Sequence, residues 1–217
     1  MMSYQPVPAL GKDFLTPFFD VLLEVVGWGT SLRERVLERV HIQNDEQVLD
    51  VGCGTAALLI RARAHAPGAH LVGVDADPHI LELARKNITR HGVEVEVTEA
   101  RAEDLPFPPA SFEVVTSTLT FHHLPTAIKQ RAMTEIHRVL KPGGRFLLAD
   151  FGRPEGLLLK TFFALGALLQ SDEARYLQDN QAGRLPLFLE EAGFAVQELP
   201  PRYRGVQFLL ATKQEAR

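Results

Sequence analysis

Residues 48–57 of the 217-residue chain read Val-Leu-Asp-Val-Gly-Cys-Gly-Thr-Ala-Ala, and this stretch decides the fold class. Its first four residues form a short, mostly apolar run typical of a buried strand, and the residues from Thr55 to about Ala64 have a helical pattern. Gly52 and Gly54 allow tight turning and let the backbone come close to a ligand. A strand, a glycine loop and a helix in this order predict the ligand-binding unit of a parallel α/β sheet.

Strand and helix patterns alternate along most of the remaining chain. Asp77 followed by Pro78 marks the start of a helix that Gly92 ends. The strict alternation over residues 93–97 indicates a strand with one wet face near the sheet edge, and residues 141–144 predict a turn. Repeated strand–helix units imply a doubly wound, mainly parallel sheet whose ligand lies at the carboxyl ends of the strands. The predicted strands are 48–51, 71–74, 93–97, 112–117, 145–150, 194–199 and 206–212, with a further helix at 126–140.

The two ends of the chain do not follow this alternation. Phe14, Phe18 and Leu22 recur at helical spacing, and a second helix is predicted to begin at Ser31 as its N-cap. Between Phe151 and Gly193 an apolar helical stretch and a polar segment replace the strands. We therefore expect one domain, made of N-terminal cap helices at 1–43, a cofactor-binding half at 44–150, a helical insertion or lid at 151–192 and the last two strands at 193–217.

Composition limits the classes of function. The 23 Lys and Arg residues against 27 Asp and Glu give a net charge of -4, which argues against a broad electrostatic grip on nucleic acid. The single cysteine, Cys53, excludes an intrachain disulfide framework and a cysteine-cluster metal site. We expect no metal, a small-molecule substrate and a cytoplasmic location. The apolar stretch from Gly156 to Leu169 is shorter than the roughly 20 residues of a membrane-spanning helix. The sequence leaves the oligomeric state open.

The acids around the glycine loop indicate which ligand it holds. Asp75, at the end of the second strand, is placed to accept both hydroxyls of a ribose. The loop also matches a dinucleotide fingerprint, Gly52-x-Gly54-x-x-Ala57, which keeps an NAD-dependent oxidoreductase as an alternative. Asp50 argues against it, because a carboxylate repels a pyrophosphate and attracts an ammonium or sulfonium. A cofactor with a ribose, a cationic centre and no phosphate is S-adenosylmethionine.

Further blocks lie in collinear order over roughly residues 40 to 212: VLDVGCGTA at 48–56, GVDADP at 73–78, EDLPF at 103–107, SFEVV at 111–115, FHHL at 121–124, RVLKPGG at 138–144 and EAGF at 191–194. Together they resemble the class I S-adenosylmethionine-dependent methyltransferases, and within that class the small enzymes related to the ubiquinone/menaquinone biosynthesis C-methyltransferases. The resemblance implies an α/β, Rossmann-like, doubly wound seven-stranded sheet whose last strand is antiparallel. It also implies methyl transfer that leaves S-adenosylhomocysteine as the product.

The same resemblance implies roles for individual positions in cofactor binding. Asp50 would contact the methionyl amino group directly or through water, and Asp75 would hold the ribose hydroxyls. The loop residues Gly52, Cys53 and Gly54 would bring backbone to the methionyl and ribose parts. Adenine would be contacted by Ala76, by the backbone N–H of Ala102 and by the side chain of Glu103. The methionyl group would be contacted by the backbone of Thr118 and Leu119.

Two positions depart from the family pattern. Ala56 stands where the family's loop has a third glycine, and its methyl group could narrow the pocket. Arg101 stands where the family often has an acid, two residues before Glu103, and a guanidinium cannot accept the adenine amino hydrogens. These departures keep open a second class of function, a non-catalytic cofactor-binding or interaction module.

Catalytic and acceptor-binding residues are less specified. Methyl transfer is an in-line displacement that depends mainly on proximity and orientation. His122 and His123, just past the fourth strand, are candidates for a general base toward a phenol or carbon acid, with a structural hydrogen bond as the alternative. We expect a small, apolar or aromatic acceptor. Its candidate contacts, for which core packing or a solvated surface are the alternatives, are Phe14, Phe18, Phe121 and Asp179.

Overall fold

The computed structural model describes residues 24, 27–154 and 176–215. Their elements follow the predicted order of strands and helices. A 3₁₀ turn, Phe121–His123, follows the fourth strand. The bounds are α1 Thr30–Val40, β1 Gln47–Val51, α2 Ala57–His65, β2 His70–Asp75, α3 Pro78–His91, β3 Glu96–Glu99, β4 Phe112–Thr118, α4 Thr126–Val139, β5 Leu140–Phe151, α5 Gln178–Gln181, α6 Leu185–Glu191, β6 Phe194–Glu198 and β7 Val206–Lys213.

The strands of the described residues form one seven-stranded sheet in the order β3-β2-β1-β4-β5-β7-β6. The first five strands are parallel to their neighbours, and β7 runs antiparallel to both β5 and β6. The expected Rossmann-like sheet with an antiparallel last strand is confirmed. The strand order reverses between β1 and β4, where such sheets bind their ligands. The glycine loop follows β1 and therefore lies at this position.

Helices cover both faces of the sheet. On one face, α1, α2 and α3 pack through Val36, Leu59 and Leu81. On the other, α4 and α6 pack through Met133 and Phe188. Strands buried on both faces must be apolar along most of their length. The polar residues within them, among them Asp50 and Asp150, therefore stand out as candidates for function.

Local signals set the helix ends, although one prediction is wrong. Asp77 caps α3 by accepting a hydrogen bond from the backbone N–H of His79 at 2.8 Å, and Gly92 ends the helix in the left-handed conformation, both as predicted. Ser31 is not an N-cap. The helix begins one residue earlier, after Gly29, because the Glu24 carboxylate accepts from the N–H of Thr30 at 2.7 Å and takes the place of a capping side chain.

Two strands, β3 and β5, differ from their predicted bounds by more than one residue. β3 spans Glu96–Glu99 and not 93–97, since pairing with β2 begins at Val72↔Glu96 and the preceding residues carry the chain from α3 to the sheet. It lies at the sheet edge as expected. β5 extends back through residues 141–144, where a turn was predicted. These residues form an irregularity in the strand, because the register with β4 shifts between Phe112 and Val114.

The expected cap lies largely beyond the described part of the chain. Phe14, Phe18 and most of the predicted insertion fall outside the described residues. Among residues 24, 27–154 and 176–215, no helix is both long and apolar enough to cross a membrane.

Candidate functional site

Asp50 is the acid that β1 places just before the glycine loop. It is 2% exposed, and Thr116 on β4 donates a hydrogen bond from Oγ1 to Asp50 Oδ1 at 2.7 Å. Burial raises the pKa of Asp50 to about 7 against the effect of this hydrogen bond, and the charge of Asp75 adds to the rise. A cation beside Asp50 would favour its charged form, whereas a pyrophosphate would disfavour it. The site is therefore suited to a positively charged ligand.

The glycine loop turns sharply through two residues with positive φ angles, Gly52 at 74° and Gly54 at 54°. The N–H groups of Gly52 and Cys53 donate to the carbonyl of Val74 at 2.8 and 2.9 Å, which fixes the loop to β2. A Cβ on Gly52 would lie 2.3 Å from Thr120 Oγ1, but a Cβ on Gly54 would meet no described atom within 4 Å. The loop is thus closely packed at Gly52 and open at Gly54.

Ala56 and Cys53 are structural residues of this loop. Ala56 has a φ of 61° and no exposed surface. The left-handed conformation costs a non-glycine residue about 1–2 kcal/mol, which gives a physical reason for glycine at this position in the family pattern. The methyl group of Ala56 is buried within the protein. The effect of alanine in place of the family's glycine is therefore strain in the loop backbone. Burial raises the pKa of the Cys53 thiol well above its usual value, which makes it a poor nucleophile.

Asp75 connects the end of β2 to the glycine loop. Its Oδ2 accepts from the N–H of Gly54 at 2.9 Å, and its Oδ1 accepts from the N–H of Asp77 at 3.0 Å. The loop and the downstream acid, predicted separately, are therefore neighbours. Burial raises the pKa of Asp75 in spite of these hydrogen bonds. Each carboxylate oxygen has a further lone pair, so Asp75 can still accept from two hydroxyl groups.

A cavity of about 410 Å³ opens beside Asp75, at the ends of β2 and β3. The Arg101 guanidinium binds the Glu103 carboxylate, with Nε 2.7 Å from Oε1, so Glu103 is already paired. Ala102 packs partly against the core. Glu99 and Asp104, which were not among the predicted site residues, line the cavity, whereas Glu103 does not. The lining residues are Ala76, Glu99, Ala100, Arg101, Asp104 and Pro106.

The end of β4 approaches the glycine loop from the other side. Leu119 has a φ of 53°, and its N–H donates to the carbonyl of Ala149 on β5 at 2.9 Å. The Thr120 hydroxyl donates at 3.4 Å to the carbonyl of Gly52 and at 3.2 Å to that of Thr118. Thr120 thus joins the end of β4 to the loop, and Thr118 and Leu119 directly precede it. Their contact with a methionyl group stays a prediction.

His122 is held by the acid that ends the next strand. Its Nδ1 lies 2.9 Å from Oδ1 of Asp150, and its backbone N–H donates to Oδ2 at 3.2 Å. The Asn180 amide donates to the same Oδ1 at 3.3 Å. The imidazole also contacts Phe151 edge-on, with ring centroids 4.9 Å apart. In His123, burial followed by the charge of His122 lowers the pKa to about 3, so it remains neutral near pH 7.

Phe121, a candidate for acceptor contact, lies in the hydrophobic core. Phe121 has no exposed surface and packs in the core, with its ring 6.2 Å from that of Phe146. This placement favours a role for Phe121 in core packing over contact with the acceptor.

Asp179 is buried and already hydrogen-bonded within the protein, and does not lie on a solvated surface. It is 5% exposed and accepts hydrogen bonds from Thr126 Oγ1 at 2.6 Å and from Arg184 at 2.8 Å. The ammonium of Lys129, a buried residue of α4, lies 3.4 Å away. The sequence shows that the segment around Asp179 is polar, but it does not reveal the buried lysine that pairs with Asp179.

The chemistry of the loop identifies the class. The buried acid before the turn would repel a pyrophosphate, which separates this site from the sites of dinucleotide-binding sheets. It matches the site of a class I S-adenosylmethionine-dependent methyltransferase. A family model described as "Methyltransferase domain" matches residues 48–144. The chain belongs to this methyltransferase family and is related to the ubiquinone/menaquinone C-methyltransferases.

Two relatives and one solved structure illustrate the relationship. Demethylmenaquinone methyltransferase of Thermus thermophilus is 31% identical over 201 residues, which cover 84% of this chain and 90% of the relative. The 2-methyl-6-phytyl-1,4-hydroquinone methyltransferase 1 of rice is 30% identical, with 89% and 56% coverage. Phosphoethanolamine N-methyltransferase 2 of Haemonchus contortus, solved with S-adenosyl-L-methionine, is 18% identical with a TM-score of 0.74 over 96% of this chain and 59% of that one, and so shares the fold.

Proposed function

We propose that this methyltransferase transfers its methyl group to an aromatic quinol or phenol that carries an apolar substituent. The observation that carries the proposal is the match to the Thermus demethylmenaquinone methyltransferase over most of both chains. The rice relative, named for a phytyl hydroquinone, supports the same chemical class. The chain itself favours an aromatic acceptor, because Trp28, Phe151 and His122 form an edge-to-face series with centroid distances of 4.9 Å at the end of β5.

The cofactor residues have separable roles in this proposal. S-adenosylmethionine, when bound, supplies an electrophilic methyl group on a sulfonium. Asp50 binds the methionyl ammonium, Asp75 accepts from the ribose hydroxyls, and Ala76 lies beside the adenine. Gly52 and Gly54 admit the ligand close to the backbone, with Cys53 buried between them. We assign the adenine edge to Glu99 and Asp104 in addition to Ala102 and Glu103, because the carboxylate of Glu103 is paired with Arg101.

The acceptor side is closed, in this proposal, by the segments 1–43 and 151–192. Phe14 and Phe18 remain candidates for acceptor contact there. Closure would exclude water from the displacement and hold the acceptor in line, which supplies much of the rate enhancement in such reactions. We further propose that the protein acts on small molecules in the cytoplasm and does not bind nucleic acid.

The test combines binding and transfer. Calorimetric titration with S-adenosylhomocysteine should show binding that Asp75→Asn weakens at least tenfold, since hydrogen bonds between a carboxylate and ribose hydroxyls are worth about 1.5–3 kcal/mol. Asp45→Asn, an exposed acid outside the site, is the control for net charge. Radiolabelled S-adenosylmethionine should then methylate a prenylated hydroquinone and leave amines unmodified. Binding without transfer to any acceptor would favour the non-catalytic module.

A further inference from the structure

We propose that His122 is the general base of the methyl transfer, that Asp150 orients it, and that Asn180 is a positioning residue that fixes Asp150. This inference rests on the proposed function, because only an acceptor that starts protonated requires a base. Asp150 ends β5 and Asn180 lies in α5, so three separate elements meet at one carboxylate.

The contacts between His122 and Asp150 determine which ring nitrogen can act. An ionised carboxylate only accepts hydrogen bonds, so Nδ1 of His122, 2.9 Å from Oδ1, carries the ring proton. The lone pair then lies on Nε2, which is the tautomer that a general base needs. The backbone N–H of His122 binds the second carboxylate oxygen at 3.2 Å. Ring and backbone are therefore attached to the same group, which limits rotation of the imidazole.

Asp150 is suited to orient a base and not to contact a substrate. It has no exposed surface, whereas the His122 side chain is 14% exposed. Burial alone would raise the pKa of Asp150, but the charge and hydrogen bond of His122 and the N–H of Phe151 lower it below its usual value. The carboxylate thus stays ionised and stabilises the imidazolium that forms on proton transfer. Among the described residues, Lys129 and His123 also interact electrostatically with Asp150, and Asp179 and Arg184 lie beside Lys129.

Asn180, in α5, holds the Asp150 carboxylate in place. Its side chain is fully buried, and Nδ2 donates to Asp150 Oδ1 at 3.3 Å and to the carbonyl of Phe151 at 3.1 Å. The neighbouring Asp179 is bound by Thr126 of α4. The turn of helix that follows the 155–175 segment is therefore fixed to the acid that holds the base. This explains the buried polar residues of α5, which neither acceptor contact nor a solvated surface explains.

The proposed step balances in protons and electrons. Nε2 of His122 takes the proton of the acceptor hydroxyl. An electron pair of the resulting phenolate, on oxygen or on a conjugated ring carbon, forms a bond to the methyl carbon as the carbon–sulfur bond breaks toward sulfur. After attack by carbon, the ring hydrogen at that carbon moves to the oxygen and restores aromaticity. The imidazolium then releases one proton to solvent for each methyl group transferred.

The decisive experiment compares two acceptors that differ in acidity. His122→Asn removes Nε2, while its amide can still donate to Asp150. With a weakly acidic phenol we expect kcat to fall about 10²–10⁴-fold, the usual contribution of a general base. With a nitrophenol that is already ionised at the assay pH, kcat should fall less than about fivefold, because no proton remains to be removed. His79→Asn, an exposed histidine on α3, is the matched control.

Two further variants test the positioning roles. Asp150→Asn and Asn180→Ala should lower kcat for the weakly acidic phenol with little change in KM, and the ionised phenol should again restore most of the rate. A downfield proton resonance from Nδ1–H of His122 should disappear in Asp150→Asn and shift in Asn180→Ala. A structural role alone would reduce the rates with both acceptors equally.

The outcomes separate this inference from the proposed function. Wild-type protein that binds S-adenosylhomocysteine but methylates no phenol or quinol would overturn the proposed function and this inference with it. Wild-type protein that methylates both phenols, with a His122→Asn variant that loses equal activity on each, would overturn this inference alone. Unchanged affinity of His122→Asn for S-adenosylhomocysteine would exclude loss of folding as the cause of its lower rate.

Discussion

Replacing Asp50 with asparagine should stabilise the unliganded protein and weaken cofactor binding at the same time. In the fold, the pKa of Asp50 rises from 3.8 to about 7, chiefly through burial. Because the pKa of Asp50 is higher in the folded than in the unfolded state, its contribution to stability is fully present below pH 3.8. This contribution is lost as the pH rises from 3.8 to about 7. Relative to a neutral group, the Asp50 carboxyl therefore destabilises the fold by about 4 kcal/mol at pH 8, where it is ionised in both states, and by about 1.5 kcal/mol at pH 5, where it is ionised only in the unfolded chain.

Asparagine removes this cost without losing the local hydrogen bond. The amide oxygen can accept from Thr116 as the carboxylate does at 2.7 Å. The neutral amide cannot, however, attract the methionyl ammonium. We expect the affinity for S-adenosylhomocysteine to fall about 10- to 100-fold at pH 8, as for loss of a charged hydrogen bond. In the wild type the affinity should fall about tenfold from pH 8 to pH 6, because Asp50 must first lose a proton.

Urea unfolding at pH 5 and pH 8 measures the first effect, and calorimetric titration over the same range measures the second. The variant should gain more stability at pH 8 than at pH 5, and its affinity should lack the Asp50-dependent fall toward pH 6. Asp45→Asn controls for the change in net charge. If Asp50→Asn were less stable than the wild type at pH 8 and bound S-adenosylhomocysteine equally well, Asp50 would be a structural residue and the assignment would be refuted.

Three further predictions concern packing and reactivity. Gly52→Ala should destabilise the protein and abolish S-adenosylhomocysteine binding, because its Cβ would lie 2.3 Å from Thr120 Oγ1. Adding Thr120→Ala should restore part of the melting temperature. Absence of any recovery would show that this clash is not the cause. Lys129→Met should lower the free energy of unfolding by about 3 kcal/mol through loss of the buried pair with Asp179, and an unchanged urea midpoint would contradict this. Cys53 should react with a disulfide reagent at pH 8 on the order of 100-fold more slowly in the native state than in urea, and equal rates would show an accessible thiolate.

The parts of the fold that the sequence predicts well are those set by neighbours along the chain. Apolar runs that end in polar residues mark parallel strands buried on both faces, and this placed Asp50 and Asp75 at strand ends. The Asp77 cap and Gly92 end α3 through short-range geometry. Ser31 was assigned wrongly because Glu24, six residues before Thr30, supplies the cap instead.

The contacts that were missed join residues far apart in the chain. The Thr116 hydrogen bond to Asp50 spans 66 residues and depends on β1 and β4 lying side by side. The Asn180 hydrogen bond to Asp150 spans 30 residues, across the 155–175 segment. Composition suggested a solvated surface around Asp179 because a charge pattern does not reveal which lysine lies opposite. Such pairings follow from topology and not from local pattern.

Asp50 and Asp150 show how two residues of the same type acquire different properties near the carboxyl ends of two strands of one sheet. Both are buried, yet the pKa of Asp50 is raised and that of Asp150 is lowered. Asp150 receives hydrogen bonds from His122, Asn180 and backbone N–H groups, so the protein itself satisfies its charge. Asp50 receives one from a neutral hydroxyl, and although the charge of Arg33 also lowers its pKa, burial outweighs both effects. Environments that push two carboxyl groups apart in pKa assign them different roles. We therefore infer that a cationic ligand binds beside Asp50, whereas the hydrogen bonds of Asp150 are made within the protein and orient His122.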